Sequence, residues 1–239
     1  MLIVKNVTKY FGSKKAVHDV SFTIQKGEIF SLIGPNSSGK TTIVKSIVGL
    51  LELSHGSIEI NGHSITKDPQ AAKADVGYIP DEPAIWSHMT GGEFLFFMQA
   101  LFGVEEKKRL ASLPKLLELF NLQGLEKEYF EDYSRGNKQK FSITSAISHN
   151  PKLLLVDEPI VGLDPTGADI AKKLFVDYAR AGGAILLVTH TLSVAQEISD
   201  RIGILKDGSL VAVGTMSELR DQAGLTGDAT LGDIYKKLA

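Results

Sequence analysis

The 239-residue sequence contains no cysteine. This absence excludes disulfides, thiolate metal sites, iron–sulfur clusters and cysteine nucleophiles together. An excess of charge of one sign is also lacking, because 26 lysines and arginines stand against 28 acidic residues, for a net charge of -2. A large basic surface of the kind that holds nucleic acid is therefore disfavoured, and no nucleic-acid partner is expected.

Long hydrophobic runs are lacking as well. The most apolar long stretch, residues 94–104, is interrupted by Gln99 and spans eleven residues, whereas a transmembrane helix needs about 20. The first residues contain no small-residue cleavage site and indicate a strand rather than a signal peptide. With 43% hydrophobic and 23% charged residues, the composition is typical of an ordinary globular protein.

Strands and helices alternate along most of the chain. Apolar runs predict strands over 2–7, 20–24, 28–33, 57–60, 152–156 and 184–188, and a hairpin with strands over 202–205 and 210–213. Helical spacing of apolar residues predicts helices over 41–50, 94–101, 108–120 and 170–180, with two short ones at the end of the chain. This alternation favours an α/β fold with a mostly parallel sheet covered on both faces.

Residues 34–42 fit the P-loop pattern and lie between a predicted strand and a predicted helix. Glycines let the backbone curl so that successive N–H groups point at phosphate oxygens, and the helix adds its positive N-terminus. Lys40 is expected to reach the β- and γ-phosphates, and the Thr41 hydroxyl is expected to ligate Mg²⁺. The predicted nucleotide-binding residues of the loop are Gly34, Pro35, Asn36, Ser37, Ser38, Gly39, Lys40, Thr41 and Thr42.

Two adjacent carboxylates, Asp157 and Glu158, follow the apolar strand predicted over 152–156. Ligands bind at the carboxyl edge of open parallel sheets, and this strand delivers both side chains to that edge. Asp157 suits the coordination shell of Mg²⁺, and Glu158 is suited to polarise an attacking water. Together with the P-loop, the pair predicts hydrolysis of a nucleoside triphosphate.

Three further segments accompany these motifs: Ser-Arg-Gly-Asn at 134–137, Gly-Leu-Asp at 162–164, and His190. In this order the motifs resemble those of the ATP-binding subunit of an ABC transporter, over essentially the whole chain. The family's signature usually reads Leu-Ser-Gly-Gly-Gln, so residues 133–137 depart from it at three of five positions. Their form is similar to that of ATPases paired with separate export permeases of the type-2 class.

The signature segment has a meaning of its own before the resemblance is considered. Ser134 is suited to cap a helix that continues through residue 147, and Gly136 lets a backbone N–H approach an anion. A capped helix alone is the alternative. The resemblance implies more: Ser134, Gly136 and Asn137, with Asp164 of the 162–164 segment, would contact ATP in a head-to-tail dimer with twofold symmetry.

His190 follows the strand predicted over 184–188, where its ring would be able to hydrogen-bond a γ-phosphate. A lone histidine is more often structural. The resemblance implies instead that His190 is the switch histidine, catalytic together with Glu158 and Lys40. No role is predicted for the other five of the six histidines.

Phe11, just before Gly12, matches the aromatic residue that stacks on adenine in this family, and Val17 is predicted to touch the same ring. A core position is the alternative for Phe11, because a single phenylalanine carries little specificity. Adjacent Tyr10 is the alternate candidate for the stacking residue.

Asp81 occupies the position where the family usually has a glutamine that touches Mg²⁺ or the attacking water. Aspartate offers oxygens to a hard cation, but its side chain is one methylene shorter and carries a charge. Asp81 is therefore predicted to be a metal ligand beside Thr41 and Asp157, and neighbouring Glu82 is the alternative.

Residues 85–89, Ile-Trp-Ser-His-Met, with Phe94, Phe96 and Phe97, are unusually apolar for a loop and helix start. In the family this region receives a helix of the membrane subunit, and such contacts use aromatic anchors. The phenylalanines are also suited to the core of the helical segment, so Trp86 is the predicted surface anchor.

The resemblance implies a single ABC ATPase domain over residues 1–239. It consists of a P-loop NTPase core with a mostly parallel sheet, an N-terminal antiparallel β subdomain and an inserted helical subdomain. Residues 1–82 and 150–239 would form the β-rich and RecA-like core, and residues 83–149 the helical subdomain that carries the signature.

The principal interpretation is an ATP-binding and ATP-hydrolysing subunit that uses Mg²⁺ and powers a membrane permease by dimer closure and opening, for export. The dimer would be a homodimer, or a heterodimer with a similar ATPase, held by the permease on the cytoplasmic face of the cell membrane. One alternative is a soluble ABC-type ATPase of DNA repair or translation, which usually carries a coiled-coil insertion or a second cassette. The other is a nucleotide-sensing module without turnover, against which Glu158 and His190 argue.

Overall fold

The structure is a computed structural model that describes residues 1–83 and 86–239. Its strands are β1 (Leu2–Phe11), β2 (Lys14–Ile24), β3 (Ile29–Ile33), β4 (His55–Ile60), β5 (His63–Ser64), β6 (Val76–Ile79), β7 (Leu153–Asp157), β8 (Ala184–Thr189), β9 (Arg201–Lys206) and β10 (Ser209–Gly214). Its helices are α1 (Lys40–Ile47), α2 (Pro69–Ala74), α3 (Gly91–Leu101), α4 (Glu106–Glu118), α5 (Arg135–Ile147), α6 (Pro165–Arg180), α7 (Leu192–Ile198), α8 (Met216–Ala223) and α9 (Leu231–Leu238).

The larger sheet has the strand order β10-β9-β3-β8-β7-β6 within the described residues. All neighbouring strands run parallel except β10, which pairs antiparallel with β9 at one edge. Strands β3, β7 and β8 are buried along their whole length, as expected of parallel strands covered on both faces. The mostly parallel sheet predicted from the sequence is confirmed, and the carboxyl ends of β3, β7 and β8 meet at one edge.

A smaller antiparallel sheet, in the order β2-β1-β4-β5, packs against the larger one. The two sheets share a core that also buries the apolar face of α1 through Ile43, Val44 and Ile47. Burial of this face fixes the direction of α1, and with it the position of the loop that precedes the helix. The predicted antiparallel part of the fold is confirmed.

Helices α3, α4 and α5 lie between β6 and β7 in the chain and pack around a second core that contains Phe130 and Phe141. Helix α5 ends at Ile147 and has Ser134 as its N-cap, as predicted. The boundaries of the helical subdomain at residues 83 and 149 stay a prediction. No helix in the described ranges combines the length and the apolar character needed to cross a membrane.

Several elements differ from the sequence prediction. Strand β6 and helices α2 and α7 were not predicted, because runs of four, six and seven residues are too short to show a period. Strand β1 extends to Phe11 and strand β2 begins at Lys14, beyond the predicted bounds. The two strands stay paired there although the paired side chains are mostly polar. Backbone pairing, rather than apolar alternation, extends this hairpin.

Candidate functional site

A cavity of about 870 Å³ opens at the carboxyl ends of β3, β7 and β8. Its wall combines the loop before α1, the ends of two strands, the β1–β2 turn and the β9–β10 turn. The sequence-predicted residues that line it are Phe11, Asn36, Ser37, Gly39, Lys40, Thr41, Thr42, Asp81, Asp157, Glu158 and His190. The fold therefore gathers residues from five separate segments of the chain around one space.

The loop before α1 curls tightly. Ser37 and Gly39 have left-handed backbone conformations, with φ of 66° and 107°. Gly34 lies so close to Leu205 that a Cβ would be 2.2 Å from the Leu205 carbonyl oxygen, so no larger residue fits. Among the described residues, no side chain caps α1 and its first turn contains no acidic residue. The backbone N–H groups at the N-terminus of α1 are thus available to bind an anion.

Lys40 is only 8% exposed and bonds its own loop. Its Nζ donates to the carbonyl oxygens of Gly34, at 2.8 Å, and of Pro35, at 2.9 Å. Burial lowers the pKa of Lys40, while the charges of Glu158 and Asp157 act in the opposite direction. An anionic phosphate in the cavity would offer this ammonium stronger acceptors than the two neutral carbonyls.

Asp157 ends β7 and is 5% exposed. Burial, followed by the charges of Glu158 and Asp81, raises the pKa of Asp157 to about 6. A divalent cation nearby would stabilise the ionised form of this buried carboxylate. The Thr41 hydroxyl on the same wall offers a second hard oxygen. The donor set therefore fits Mg²⁺ bound together with phosphate oxygens.

The loop before α1, residues 34–39, which we call the phosphate loop for its sequence pattern, also contains a buried hydroxyl outside the cavity wall as described. Ser38 is 2% exposed, and its Oγ has no hydrogen-bond partner among the described residues. Leaving such a group unpaired costs free energy. Of the two features, the N-terminus of α1 is the one that opens on the cavity and suits a phosphate.

Glu158 is held by the end of β8. Its Oε1 accepts hydrogen bonds from the backbone N–H of His190 at 2.8 Å and from His190 Nδ1 at 2.6 Å, and its Oε2 accepts from Thr189 Oγ1 at 3.0 Å. An ionised carboxylate only accepts, so Nδ1 carries the proton. The backbone of Glu158 has a φ of 49°, which is uncommon outside glycine. The structure thus brings two of the three predicted catalytic side chains, Glu158 and His190, into direct contact.

Asp81 lines the cavity beside Arg135, a residue for which no role was predicted. The guanidinium Nη2 of Arg135 lies 3.7 Å from Oδ1 of Asp81. Glu82, the alternative to Asp81, is exposed and does not belong to the cavity wall as described.

Phe11 is 48% exposed and lines the cavity, with the ammonium of Lys9 5.3 Å from the centre of its ring. The prediction for Val17 is wrong, because its side chain is 0% exposed and belongs to the core between the two sheets. Successive residues of a strand point to opposite faces. In β2, the neighbours Ala16 and His18 therefore face the cavity in its place.

The signature residues Ser134, Gly136 and Asn137, and also Asp164, lie outside this chain's own cavity wall as described. Ser134 Oγ accepts from the Asn137 backbone N–H at 3.2 Å and so caps α5. Gly136 packs so closely on the 162–164 segment that a Cβ would be 2.8 Å from the Gly162 oxygen. Asp164 precedes α6, and a hydrogen bond from Lys140 lowers its pKa.

Part of the cavity wall was not predicted from the sequence. The missed residues are Lys14, Lys15, Ala16, His18, Arg135, Val161, Asp207 and Gly208. Asp207-Gly208 was visible in the sequence only as a turn. In the structure the Gly208 N–H donates to the Ser38 oxygen at 2.9 Å and the Gly208 oxygen accepts from the His18 N–H at 2.7 Å. This turn joins the phosphate loop to β2.

Trp86 is 57% exposed, and its ring makes a T-shaped contact with Phe97, with centroids 5.5 Å apart. Phe94 is buried in the core, whereas Phe96 lies against Arg109. Ile85 of the predicted anchor segment lies outside the described residues. A second, mostly apolar cavity of about 580 Å³ lies between α2, β6 and the end of α3, with Val48, Tyr78, Leu101 and Phe102 in its wall.

Comparisons with known proteins give one family. Residues 17–161 match the family described as ABC transporter. The chain is 34% identical over 238 residues to the ABC-type transporter ATP-binding protein EcsA of Bacillus subtilis (strain 168), covering 100% of this chain and 96% of that protein. It is 34% identical over 227 residues to the linearmycin resistance ATP-binding protein LnrL of the same organism, covering 94% and 72%.

Solved structures agree with these relatives. The fold is similar, with a TM-score of 0.95 and 34% identity, to a structure described as the ATP binding subunit of an ABC transporter, covering 100% of this chain and 99% of that one. It is also similar, with a TM-score of 0.83 and 25% identity, to a dimeric structure of a bacterial ABC transporter cassette, covering 90% and 99%.

Proposed function

The chain belongs to the ABC transporter family as an ATP-binding subunit, and we propose from this premise that it hydrolyses ATP to drive a membrane permease. The observation that carries the proposal is that the phosphate loop, Asp157 and the Glu158–His190 pair surround one cavity. A nucleotide-binding module without turnover would need the first of these features but not the last.

Different residues of the cavity bind different parts of Mg·ATP in this proposal. The open N-terminus of α1 and Lys40 hold the phosphates, Thr41 and Asp157 supply oxygens for Mg²⁺, and Phe11 offers a ring face to the adenine. Bound Mg·ATP supplies a γ-phosphoryl group for transfer to water. Lys40 exchanges the carbonyls of its own loop for phosphate oxygens.

Glu158 accepts the proton of the attacking water in this proposal. Its three hydrogen bonds to the end of β8 fix the carboxylate in one orientation before substrate arrives. Positioning of this kind is the main contribution of a protein to phosphoryl transfer. Because His190 Nδ1 is engaged with Glu158, Nε2 is the ring nitrogen that remains for the γ-phosphate.

We propose that ATP closes a head-to-tail dimer in which the signature of one chain covers the nucleotide of the other. Two facts support this: Ser134, Gly136, Asn137 and Asp164 lie outside the chain's own cavity, and a relative of the same fold forms a dimer. The proposal covers a homodimer and a heterodimer with a similar ATPase.

Ser134→Arg tests the dimer. The larger cationic side chain is expected to block the sandwich by bulk while leaving ATP binding to the single chain within about twofold of wild type. Light scattering with and without a non-hydrolysable ATP analogue measures the result. Thr230→Arg is the matched control, because Thr230 also caps a helix, α9, away from the cavity. Dimerisation of Ser134→Arg at wild-type levels would contradict the sandwich.

We propose that the permease contacts the exposed aromatic pair of Trp86 and Phe97 and, one turn further along α3, the apolar cavity at Leu101. Exposed aromatic side chains suit the docking of a short helix of a membrane subunit. Through the permease, the chain would sit at the cytoplasmic face of the membrane. Export is the proposed direction, on the basis of the signature's resemblance to exporter-type ATPases.

Trp86→Ala tests this contact. The substitution is expected to leave the melting temperature and the basal ATPase rate near wild type, because the indole is mostly exposed. Association with a co-expressed candidate permease of six membrane spans is expected to fall about tenfold or more, as for an aromatic anchor. Ile3→Ala, an exposed apolar residue on β1, is the control. A large drop in the melting temperature would instead make Trp86 a core residue.

The soluble DNA-repair or translation alternative is not favoured. The relatives with the whole-chain match are described as transporter ATP-binding proteins. The proposal of a core over residues 1–82 and 150–239 and a helical subdomain over 83–149 follows the same family architecture. Movement of α3–α5 relative to the sheet would transmit nucleotide state to the permease surface.

A further inference from the structure

Asp81 and Arg135 form an ion pair at the edge of the nucleotide cavity. Asp81 follows β6 and Arg135 is the first residue of α5, so the pair joins two elements that are distant in sequence. The Arg135 side chain lies over Gly162, where a Cβ would be 3.2 Å from its Cγ and Cδ. The absence of a side chain at Gly162 gives the guanidinium its path to Asp81.

Negative charge is concentrated where this pair lies. Burial raises the pKa of Asp157, and the charges of Glu158 and Asp81 raise it further, so both neighbouring carboxylates act electrostatically on Asp157. A carboxylate beside bound phosphates repels them unless a cation stands between. Arg135 is the cation that contacts Asp81 among the described residues.

The pair is easily broken. Both side chains are about half exposed, 56% for Arg135 and 53% for Asp81, and the 3.7 Å separation is longer than that of a close charge-assisted hydrogen bond. Exposed ion pairs of this kind contribute little to folding. An effect of the pair is therefore expected on events in the cavity rather than on the stability of the fold.

We propose that Arg135 is a positioning residue that neutralises Asp81 until a metal–nucleotide complex enters, after which Asp81 turns to the metal and releases α5. The inference rests on the proposed function, because it needs Mg·ATP in the cavity. Nucleotide without metal gives Asp81 no cation to replace Arg135, so the pair stays closed. The start of α5 is thereby tied to the segment after β6 unless nucleotide and metal arrive together.

A double-mutant cycle tests the pair. Calorimetry measures Kd for a non-hydrolysable ATP analogue in EDTA and in Mg²⁺. The Kd in EDTA divided by the Kd in Mg²⁺ reports how much the metal strengthens binding. Arg135→Gln is expected to raise this ratio by about threefold or more, because unpaired Asp81 repels phosphates in EDTA and attracts Mg²⁺ when it is present. Asp81→Asn is expected to lower the ratio.

The decisive variant combines the two substitutions. In Asp81→Asn/Arg135→Gln the ratio is expected to equal that of Asp81→Asn alone, because Arg135 acts on the metal dependence only through Asp81. Lys138→Gln removes the same charge from α5 outside the cavity wall described and is expected to keep the wild-type ratio. All melting temperatures are expected to lie within about 2 °C of wild type.

Two results would overturn the inference. An equal shift by Arg135→Gln with and without Asp81→Asn would show that Arg135 acts as a general positive charge on the site. An unchanged ratio in every variant would show that the pair has no influence on metal dependence. Failure of the nucleotide-binding part of the proposed function would look different, because the wild-type chain itself would then not bind the analogue.

Discussion

Replacing Lys40 with alanine is expected to weaken ATP binding about 100-fold or more. The ammonium is buried against the phosphate loop and already makes two hydrogen bonds there, so it is placed for phosphate oxygens without a large rearrangement. Hydrogen bonds between charged partners in a water-poor site are the strong ones. Isothermal calorimetry with Mg·ATP gives the affinity directly.

Lys45→Ala is the matched control for this result. Lys45 lies on the same helix, α1, with an exposed side chain in the last turn, so its loss removes the same charge outside the loop. Its ATP affinity is expected to stay within about twofold of wild type. Unchanged affinity in folded Lys40→Ala protein would remove the assignment of residues 34–42 as the phosphate-binding loop.

Glu158→Gln is expected to bind ATP but to hydrolyse it about 100-fold to 1,000-fold more slowly, and to accumulate as a dimer. Glutamine keeps the shape of the side chain but does not accept a proton from water. Its amide also replaces one of the two acceptor oxygens now bonded by His190 and Thr189, so the support from β8 is weakened. Phosphate release gives the rate, and light scattering in ATP gives the dimer.

The control for Glu158→Gln is Glu59→Gln, an equal change at an exposed side chain of strand β4. Its hydrolysis rate is expected to match wild type. Turnover near wild type in Glu158→Gln would show that another group accepts the proton. Slow turnover together with lost ATP binding would indicate that the substitution disturbs the cavity, not that it removes the general base.

Much of the site could be predicted because its chemistry is local in sequence. The phosphate loop needs only a strand, a glycine-rich turn and a helix start in succession, and the structure has β3, that turn and α1 in this order. Ser134 as the cap of α5 was predictable for the same reason, since a cap and its helix are adjacent. The buried strands β7 and β8 were predictable from unbroken apolar runs.

Other features could not be predicted, because they depend on how distant segments pack. Val17 was expected at the adenine, yet irregular pairing between β1 and β2 near Lys9 and Tyr10 leaves the inward face of β2 unspecified by alternation alone. The structure turns Val17 into the core between the sheets. Lys14 and Asp207 reach the cavity wall only because two separate turns converge on the phosphate loop.

The order of the motifs, the alternation of strands and helices, and the residue types proposed to face phosphate and metal could therefore be predicted from the linear pattern. Tertiary structure alone decided that Glu158 would be held by His190 and Thr189, and that Asp81 would meet Arg135. Hydrogen bonds and ion pairs act over a few ångströms, so a linear pattern shows which groups are able to form them. Only the packing of helices on sheets brings the partners within that range.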